Sequence, residues 1–209
     1  MINKLLLLIL LGISLLAQSN VEKLRDTISE INVGFLNSQL PGENKLELIE
    51  KSIDLIETKG KNELNLSEIK TELSNFRELL NSEQNVDSLK KAFRSVNNKF
   101  NSVTGNYFYD KIINSPHQKI IVFSTSMSCE CTLEMCYKQE AEIQKLQKEK
   151  PDLFDYAVVD CFTNFDLQSK YGVEFIPTVV IFDPKNMEVK RFVRDENLYN
   201  KIKIALGAH

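Results

Sequence analysis

Apolar residues follow a helical repeat through the first half of the chain. Between Asn20 and Gly105 they recur every three or four residues, and each series forms one stripe along a helix. Short segments rich in Pro, Gly or Asn separate the series, so that consecutive helices are expected to pack as antiparallel neighbours. The pattern therefore predicts an all-α helical bundle over residues 20–105. The four series are Val21–Phe35, Leu46–Ile56, Leu66–Leu80 and Val86–Val103.

A different pattern begins at residue 106, where short apolar runs alternate with helical stripes. Four runs are typical of strands, and the last two are joined as a hairpin. The first two strands and the helix between them form a βαβ unit, which is expected to be parallel and right-handed. Residues 106–209 are therefore predicted to form an α/β domain, a central mixed sheet flanked by helices. The predicted strands are Lys119–Ser124, Tyr156–Asp160, Thr178–Asp183 and Glu188–Val193. The predicted helices are Tyr107–Asn114, Cys131–Lys150, Asp166–Tyr171 and one through Leu198, Ile202 and Leu206, capped by Asp195.

The first 19 residues have the pattern of a secretory signal peptide. Lys4 precedes an apolar run from Leu5 to Ala17, and small residues follow at the end of that run. The run is shorter than the roughly 20 residues that a membrane span needs. We therefore expect export to the periplasm or the extracellular space, with no membrane attachment after cleavage. The alternative is an uncleaved N-terminal anchor.

Composition excludes several classes of function. The chain has 209 residues, 43% of them hydrophobic and 26% charged, with a net charge of −3, which is typical of globular proteins. No basic stripe or glycine-rich phosphate loop is present, so we expect no nucleic-acid partner. Only His117 and His209 could serve as imidazole ligands. We therefore expect no cofactor, and four cysteines remain as the candidate chemistry.

The cysteines cluster around the start of one predicted helix. Cys129 and Cys131 stand where unpaired backbone N–H groups and the helix dipole stabilise a thiolate. Cys136 lies about 10.5 Å from Cys129 along a helix, beyond the roughly 7 Å Cα separation that a disulfide allows. Cys161 follows the second strand, at the sheet edge where this helix begins. In an oxidising compartment all four are disulfide candidates, and the pairing stays open.

The second half of the chain resembles the thioredoxin superfamily. The resemblance rests on the order of elements, on cysteines after the first strand, and on the segment Lys170–Asp183, which contains Tyr171-Gly-Val and Ile176-Pro177-Thr178. It covers residues 106–209 and implies a cis-proline loop in which Ile176, Pro177 and Thr178 bind an extended substrate. The sequence departs from the family in having C-x-C in place of C-x-x-C, and no tryptophan.

Three hypotheses about function follow. The first is an exported thiol–disulfide oxidoreductase that acts on protein thiols and disulfides through Cys129 and Cys131, with Cys136 and Cys161 as a relay or a structural disulfide. Its helical half would set the oligomeric state, such as a homo-oligomer, or control substrate access. The second is a carrier of Cu or Zn bound by thiolates, although no dedicated metal site is predicted. The third is a non-catalytic thioredoxin-like adaptor with structural disulfides.

Overall fold

A computed structural model describes residues 20–59, 64–83 and 85–207 of the chain. The predicted signal peptide, residues 1–19, lies outside these described residues. The chain divides into two compact units, residues 1–96 and 97–209. None of the helices in the described part of the chain combines the length and the apolar character that a membrane span requires.

The N-terminal unit is helical, as the apolar stripes predict. Helix α1 covers residues 20–36, α2 is Glu43–Lys59, α3 is Ser67–Ser82, and α4 begins at Val86. Most stripe residues up to Val96 are buried in this unit, and three phenylalanines from α1, α3 and α4 meet there. The ring centroids of Phe76 and Phe93 are 5.1 Å apart, and Phe35 lies 5.9 Å from Phe93. Aromatic contacts of this geometry add about 0.5–1.5 kcal/mol to the free energy of burial.

The C-terminal unit contains a mixed four-stranded sheet, as predicted. The strand order is β2-β1-β3-β4; β1 and β2 are parallel, while β3 is antiparallel to β1 and to β4. The order of elements agrees with the predicted thioredoxin-like fold. The strands are β1, Gln118–Ser124; β2, Phe154–Asp160; β3, Thr178–Phe182; and β4, Glu188–Val193. The helices after α4 are α5, Glu130–Glu149; α6, Phe165–Lys170; and α7, Leu198–Ala205.

Both faces of the sheet are covered. One face packs its alternate residues against the apolar stripes of α5 and α7 in a single core cluster that contains Val122, Ile143 and Ile202. On the other face Tyr171 lies between Phe123 and Phe182, with ring centroids 5.6 and 5.3 Å away. Alternation along a strand sends successive side chains to opposite faces, which explains why nearly every residue of β1 is buried.

Helix α4 is longer than the sequence predicts. It runs without interruption from Val86 to Ile113, so the short helix expected from Tyr107 is its last part, and the boundary predicted between residues 105 and 106 falls inside it. Gly105 allows close packing at this point of the helix. A Cβ atom at Gly105 would lie 3.0 Å from the carbonyl oxygen of Val158 in β2.

The start of α7 also differs from the prediction. Asp195 was expected to cap this helix, but its N-cap residue is Asn197, which has left-handed backbone angles and makes no side-chain capping bond. The Asp195 carboxylate instead forms an ion pair with Lys201. Asp195 precedes the N-cap residue by two positions, whereas capping side chains normally belong to the N-cap residue itself.

Candidate functional site

The loop before the paired cysteines is fixed by the end of the neighbouring strand. Asp160, the last residue of β2, is 1% exposed, and its Oδ1 accepts hydrogen bonds from the backbone N–H groups of Ser126 and Phe162 at 3.0 and 3.1 Å. Within the loop, the Thr125 hydroxyl bonds to the backbone of Met127. These bonds set the path of the chain from β1 into α5.

Cys129 and Cys131 lie together at the start of α5. Cys129 is the N-cap residue and Glu130 is the first helical residue, so that Cys131 comes one residue later. Both side chains are exposed free thiols, and their Sγ atoms are 2.8 Å apart. The Thr132 hydroxyl lies 3.2 Å from Cys129 Sγ. The two thiols predicted from the sequence as the reactive pair therefore lie side by side, exposed, at the N-terminus of α5.

The surroundings of Cys129 stabilise its thiolate. The side chain of Cys131 has the largest effect, followed by the hydroxyl and then the backbone N–H of Thr132, and together they lower the pKa of Cys129 to about 6. The Ser128 hydroxyl acts in the same direction. The helix dipole adds to this effect because its positive end faces the sulfur. A lowered pKa favours the thiolate of Cys129 at neutral pH, and the thiolate is the reactive form of a cysteine.

Cys136 and Cys161 occupy a different environment. Both are free thiols that are buried, with exposures of 2% and 4%. Burial is the main reason why the pKa of each is raised to about 12, and the carboxylates of Glu140 and Asp160 act in the same direction on Cys136. Neither residue is bonded to the exposed pair in this structure. Their thiols stay protonated at neutral pH and are poor nucleophiles there.

A buried carboxyl group lies on the same helix, one turn beyond Cys136. Glu140 is 1% exposed; its Oε2 accepts hydrogen bonds from Asn97 at 2.7 Å and Asn101 at 2.8 Å, and its Oε1 accepts one from Ser124 at 2.5 Å. Burial raises its pKa, although the three hydrogen bonds work in the opposite direction. No local pattern in the sequence marks Glu140 as a buried group.

The segment Ile176-Pro177-Thr178 begins β3 at the end of the sheet where α5 starts. The peptide bond between Ile176 and Pro177 is cis. The Pro177 carbonyl accepts a 2.8 Å hydrogen bond from the N–H of Arg194, and the Thr178 hydroxyl donates to the Phe175 carbonyl at 2.6 Å. Since Thr178 pairs with Phe123 in β1, the loop before it leaves the same sheet edge as the loop before Cys129.

Several large apolar side chains are exposed in the loops at this end of the sheet, where β1 and β2 end and β3 begins. They are at least 57% exposed, although burial of such residues is favourable. Each stands in a segment that follows β1, follows β2 or precedes β3, and these strand ends adjoin in the pairing register. Grouped exposed apolar residues are typical of a binding surface. They are Met127, Phe162, Phe165 and Phe175.

The exposed pair offers two thiolate donors to a soft metal ion. Across the described ranges 20–59, 64–83 and 85–207, no group of three or more His, Cys, Asp or Glu residues is arranged to hold a metal ion.

Thr132 is the residue beside the exposed cysteines that the sequence prediction did not include. Thr132 is the third residue after the N-cap residue Cys129, and a side chain at that position can contact the side chain of the cap residue. This spacing can be read from the sequence.

Comparisons with known proteins find similarity for about half of the chain. A comparison with protein-family profiles finds no match, and neither does one with curated proteins. Among solved structures, Fasciola hepatica thioredoxin is 23% identical, covering 50% of this chain and 89% of its own, with a TM-score of 0.37. Reduced thioredoxin 2 from Pseudomonas aeruginosa PAO1 is 18% identical, over 48% and 89%, with a TM-score of 0.38. Oxidised mitochondrial thioredoxin 3 from Saccharomyces cerevisiae is 15% identical, over 46% and 83%, with a TM-score of 0.37. The chemistry of the site therefore has to be inferred from its own residues.

Proposed function

We propose that the C-terminal unit is a thiol–disulfide oxidoreductase in which Cys129 attacks and Cys131 resolves. The observation that carries this proposal is the pair itself: two exposed thiols with Sγ atoms 2.8 Å apart, one of them with a pKa lowered to about 6. A thiolate present at neutral pH is the species that attacks disulfides. A cysteine that serves only packing or a structural disulfide does not require surroundings that lower its thiol pKa.

The exchange has two steps. First, Cys129 Sγ attacks one sulfur of the substrate disulfide; a mixed disulfide forms, and the other substrate sulfur leaves as a thiolate that takes a proton from solvent. Next, Cys131 gives its proton to solvent and attacks Cys129 Sγ, and the first substrate sulfur leaves as a second thiolate. Two electrons pass to the substrate and the pair becomes a disulfide, which an external dithiol reduces again. In the reverse direction, the same steps oxidise a substrate dithiol.

A polypeptide is the substrate class that this surface favours. The exposed side chains of Met127, Phe162, Phe165 and Phe175 offer apolar contacts around the pair. Ile176, Pro177 and Thr178 form the adjacent loop, and we propose that their backbone groups pair with an extended segment of the substrate. We further propose that Cys136 and Cys161 take no direct part in the exchange, because both thiols are buried and protonated.

Redox titration of the full chain tests this proposal. The protein is equilibrated in a series of glutathione buffers and alkylated, and each cysteine is mapped by mass spectrometry. We expect Cys129 and Cys131 to change state together, within the range of about −120 to −270 mV that exchange proteins cover. A pair that stays oxidised below about −300 mV would be a structural disulfide. The adaptor hypothesis would then replace the oxidoreductase hypothesis.

Variants of the pair then test the role of each cysteine. Cys129→Ser is expected to abolish disulfide reduction, whereas Cys131→Ser is expected to accumulate the mixed disulfide with substrate, because the resolving thiol is missing. Equal activity of Cys129→Ser and wild type would contradict the proposal. Uptake of one Cu(I) or Zn(II) per chain that is lost in Cys129→Ser, without exchange activity, would identify the metal carrier instead.

Export and self-association complete the proposal. We propose that residues 1–19 are removed during export to the periplasm or the extracellular space, which the N-terminal sequence of protein purified from cell fractions tests directly. A homo-oligomer formed through the helical unit is a separate proposal. Light scattering of the full chain at several concentrations gives the mass of the particle in solution. A monomer at every concentration would exclude the homo-oligomer.

A further inference from the structure

A small cavity opens beside Cys131, along the exposed side of α5. Its volume is about 200 Å³. Sites for drug-sized ligands measure about 300–1,000 Å³, so this cavity has room for one long side chain rather than a larger molecule. Helix α5 forms one wall and the segment before α7 forms the other. The lining residues are Cys131, Glu134, Met135, Lys138, Gln139, Glu142, Asp195, Glu196 and Asn197.

The cavity is predominantly acidic. Its lining carries four carboxylates against the single ammonium group of Lys138. The Asp195 carboxylate is paired with Lys201, and Glu142 accepts a hydrogen bond from the backbone N–H of Tyr199 at 3.1 Å. Four carboxylates against the ammonium groups of Lys138 and Lys201 leave the walls with a net negative charge.

A buried acceptor in the wall supplies an independent indication of a ligand. Gln139 is only 2% exposed, and its Nε2 donates a 2.6 Å hydrogen bond to the Asp195 carbonyl. That bond fixes the orientation of the amide, because an oxygen could not stand so close to a carbonyl oxygen. Its Oε1 then has no hydrogen-bond partner. A buried acceptor without a donor is costly, by about 1–3 kcal/mol, and an incoming N–H group would satisfy it.

We infer that this cavity binds a lysine or arginine side chain of the polypeptide whose disulfide is exchanged. The inference rests on the proposed function, since Cys131 lies in the lining beside its nucleophilic partner. The carboxylates attract the cationic head, Gln139 Oε1 accepts one of its N–H groups, and Met135 covers the aliphatic stem. Substrates are thus selected by a basic residue within a few positions of the reacting cysteine.

Model peptides test the inference on the full-length protein. Three disulfide-bonded peptides differ at one position beside the cysteine, which is lysine, norleucine or glutamate. Because a nearby cation also lowers the pKa of the leaving thiol, each rate is divided by the rate of the same peptide with dithiothreitol. We expect the corrected kcat/KM to favour lysine over norleucine by about three- to tenfold, and to lose most of that preference in 0.5 M salt.

Charge variants locate the effect. Glu134→Gln with Glu196→Gln neutralises two lining residues, while Asp110→Asn with Asp152→Asn removes the same charge from exposed positions outside the lining. The lysine preference is expected to fall to about one- to twofold in the first variant and to persist in the second. Equal loss in both variants would mean that overall charge selects the substrate, and would overturn the inference. Gln139→Leu provides a further test, because it removes the acceptor without changing charge.

The outcomes separate the two proposals. If no peptide is reduced by the wild-type protein, the proposed function fails. If all three peptides are reduced at the same corrected rate, the oxidoreductase stands and the side-chain site fails. If lysine is preferred and only the lining variants abolish that preference, both stand.

Discussion

The Thr132 hydroxyl lies 3.2 Å from Cys129 Sγ, on the first turn of the helix that Cys129 caps. It is the second-largest contribution to the lowered pKa of Cys129. Thr132→Val keeps the shape of the side chain and removes this donor. We expect the pKa of Cys129 to rise and its alkylation at pH 6.5 to slow about two- to fivefold. Thr132→Ser is the matched control, since it keeps the hydroxyl; an equal slowing in both variants would contradict the role of that group.

The reactivity of Cys129 should follow its titration. With a pKa of about 6, the thiolate predominates at pH 7, and its alkylation rate is expected to fall about tenfold for each pH unit below 6. Cys131→Ala removes the largest contribution to the lowered pKa, so the midpoint should move to higher pH. Pulsed alkylation with site mapping measures both curves. A midpoint of Cys129 near 9 in the wild type would refute the assignment of the nucleophile.

Cys136 and Cys161 are expected to be inert in the folded protein. Burial raises the pKa of each thiol to about 12, so thiolate is scarce at pH 8 and reagents have little access. Under native conditions, iodoacetamide should modify Cys129 and Cys131 at least about a hundredfold faster. Mass mapping after timed alkylation tests this, and unfolding in guanidinium chloride should make all four sites reactive. Fast native alkylation of Cys136 would revive the relay hypothesis.

Glu140 makes the stability of the C-terminal unit depend on pH. Because burial raises its pKa, folding favours the protonated carboxyl group. Its contribution to stability is fully present below the ordinary pKa of a glutamate, and is lost as pH rises through the folded value. Glu140→Gln resembles the protonated form, since its amide can donate to Ser124 while its oxygen accepts from the two asparagines. The difference in free energy of unfolding between this variant and the wild type should therefore change in favour of the variant as pH rises from 4.5 to 8.

Denaturant titrations at several pH values measure this difference. Glu140→Ala is the contrasting variant, and it should cost about 2–5 kcal/mol at low pH, where the wild-type carboxyl group is protonated. The reason is that Asn97, Asn101 and Ser124 all lose an acceptor that is buried with them. A constant difference between Glu140→Gln and wild type across the pH range would show that Glu140 does not titrate in this window.

Gly105 offers a test of packing between α4 and β2. Alanine is favoured over glycine inside a helix by about 1 kcal/mol, yet a Cβ atom here would lie 3.0 Å from the Val158 carbonyl oxygen, which belongs to a paired strand. We expect Gly105→Ala to lower the free energy of unfolding by about 1–2 kcal/mol. Asn106→Ala, at the next and exposed position, should raise it by a few tenths. Thermal or urea unfolding distinguishes the two signs.

Much of the fold could be predicted because its signals are local. β4 was predicted with the same bounds that the structure has, and α5 was displaced by one residue at each end. Alternation and stripe patterns depend only on neighbouring residues, and buried runs such as β1 carry a strong signal. The continuity of α4 was missed because the apolar pattern changes near residue 106, and the contact of Gly105 with a strand distant in sequence is not visible in that pattern.

The candidate site was predictable in part. A C-x-C pair at a helix start can be read directly from the sequence, and its thiols do lie together. Glu140 could not be found in this way, because its partners Asn97 and Asn101 are 43 and 39 residues away, and a glutamate in a polar helix normally faces solvent. The cavity beside Cys131 was equally hidden, since its second wall comes from residues 195–197.

Strand β4 forms one edge of the sheet, and most of its side chains are exposed. Glu188, Lys190 and Arg191 place charges of both signs along it, and the pairing with β3 is irregular at Ile181 and Phe182. Charges and bulges at an edge discourage another chain from adding itself as a further strand. For the proposed exchange with extended polypeptide substrates, such an edge would protect the sheet against co-aggregation with the substrate chain.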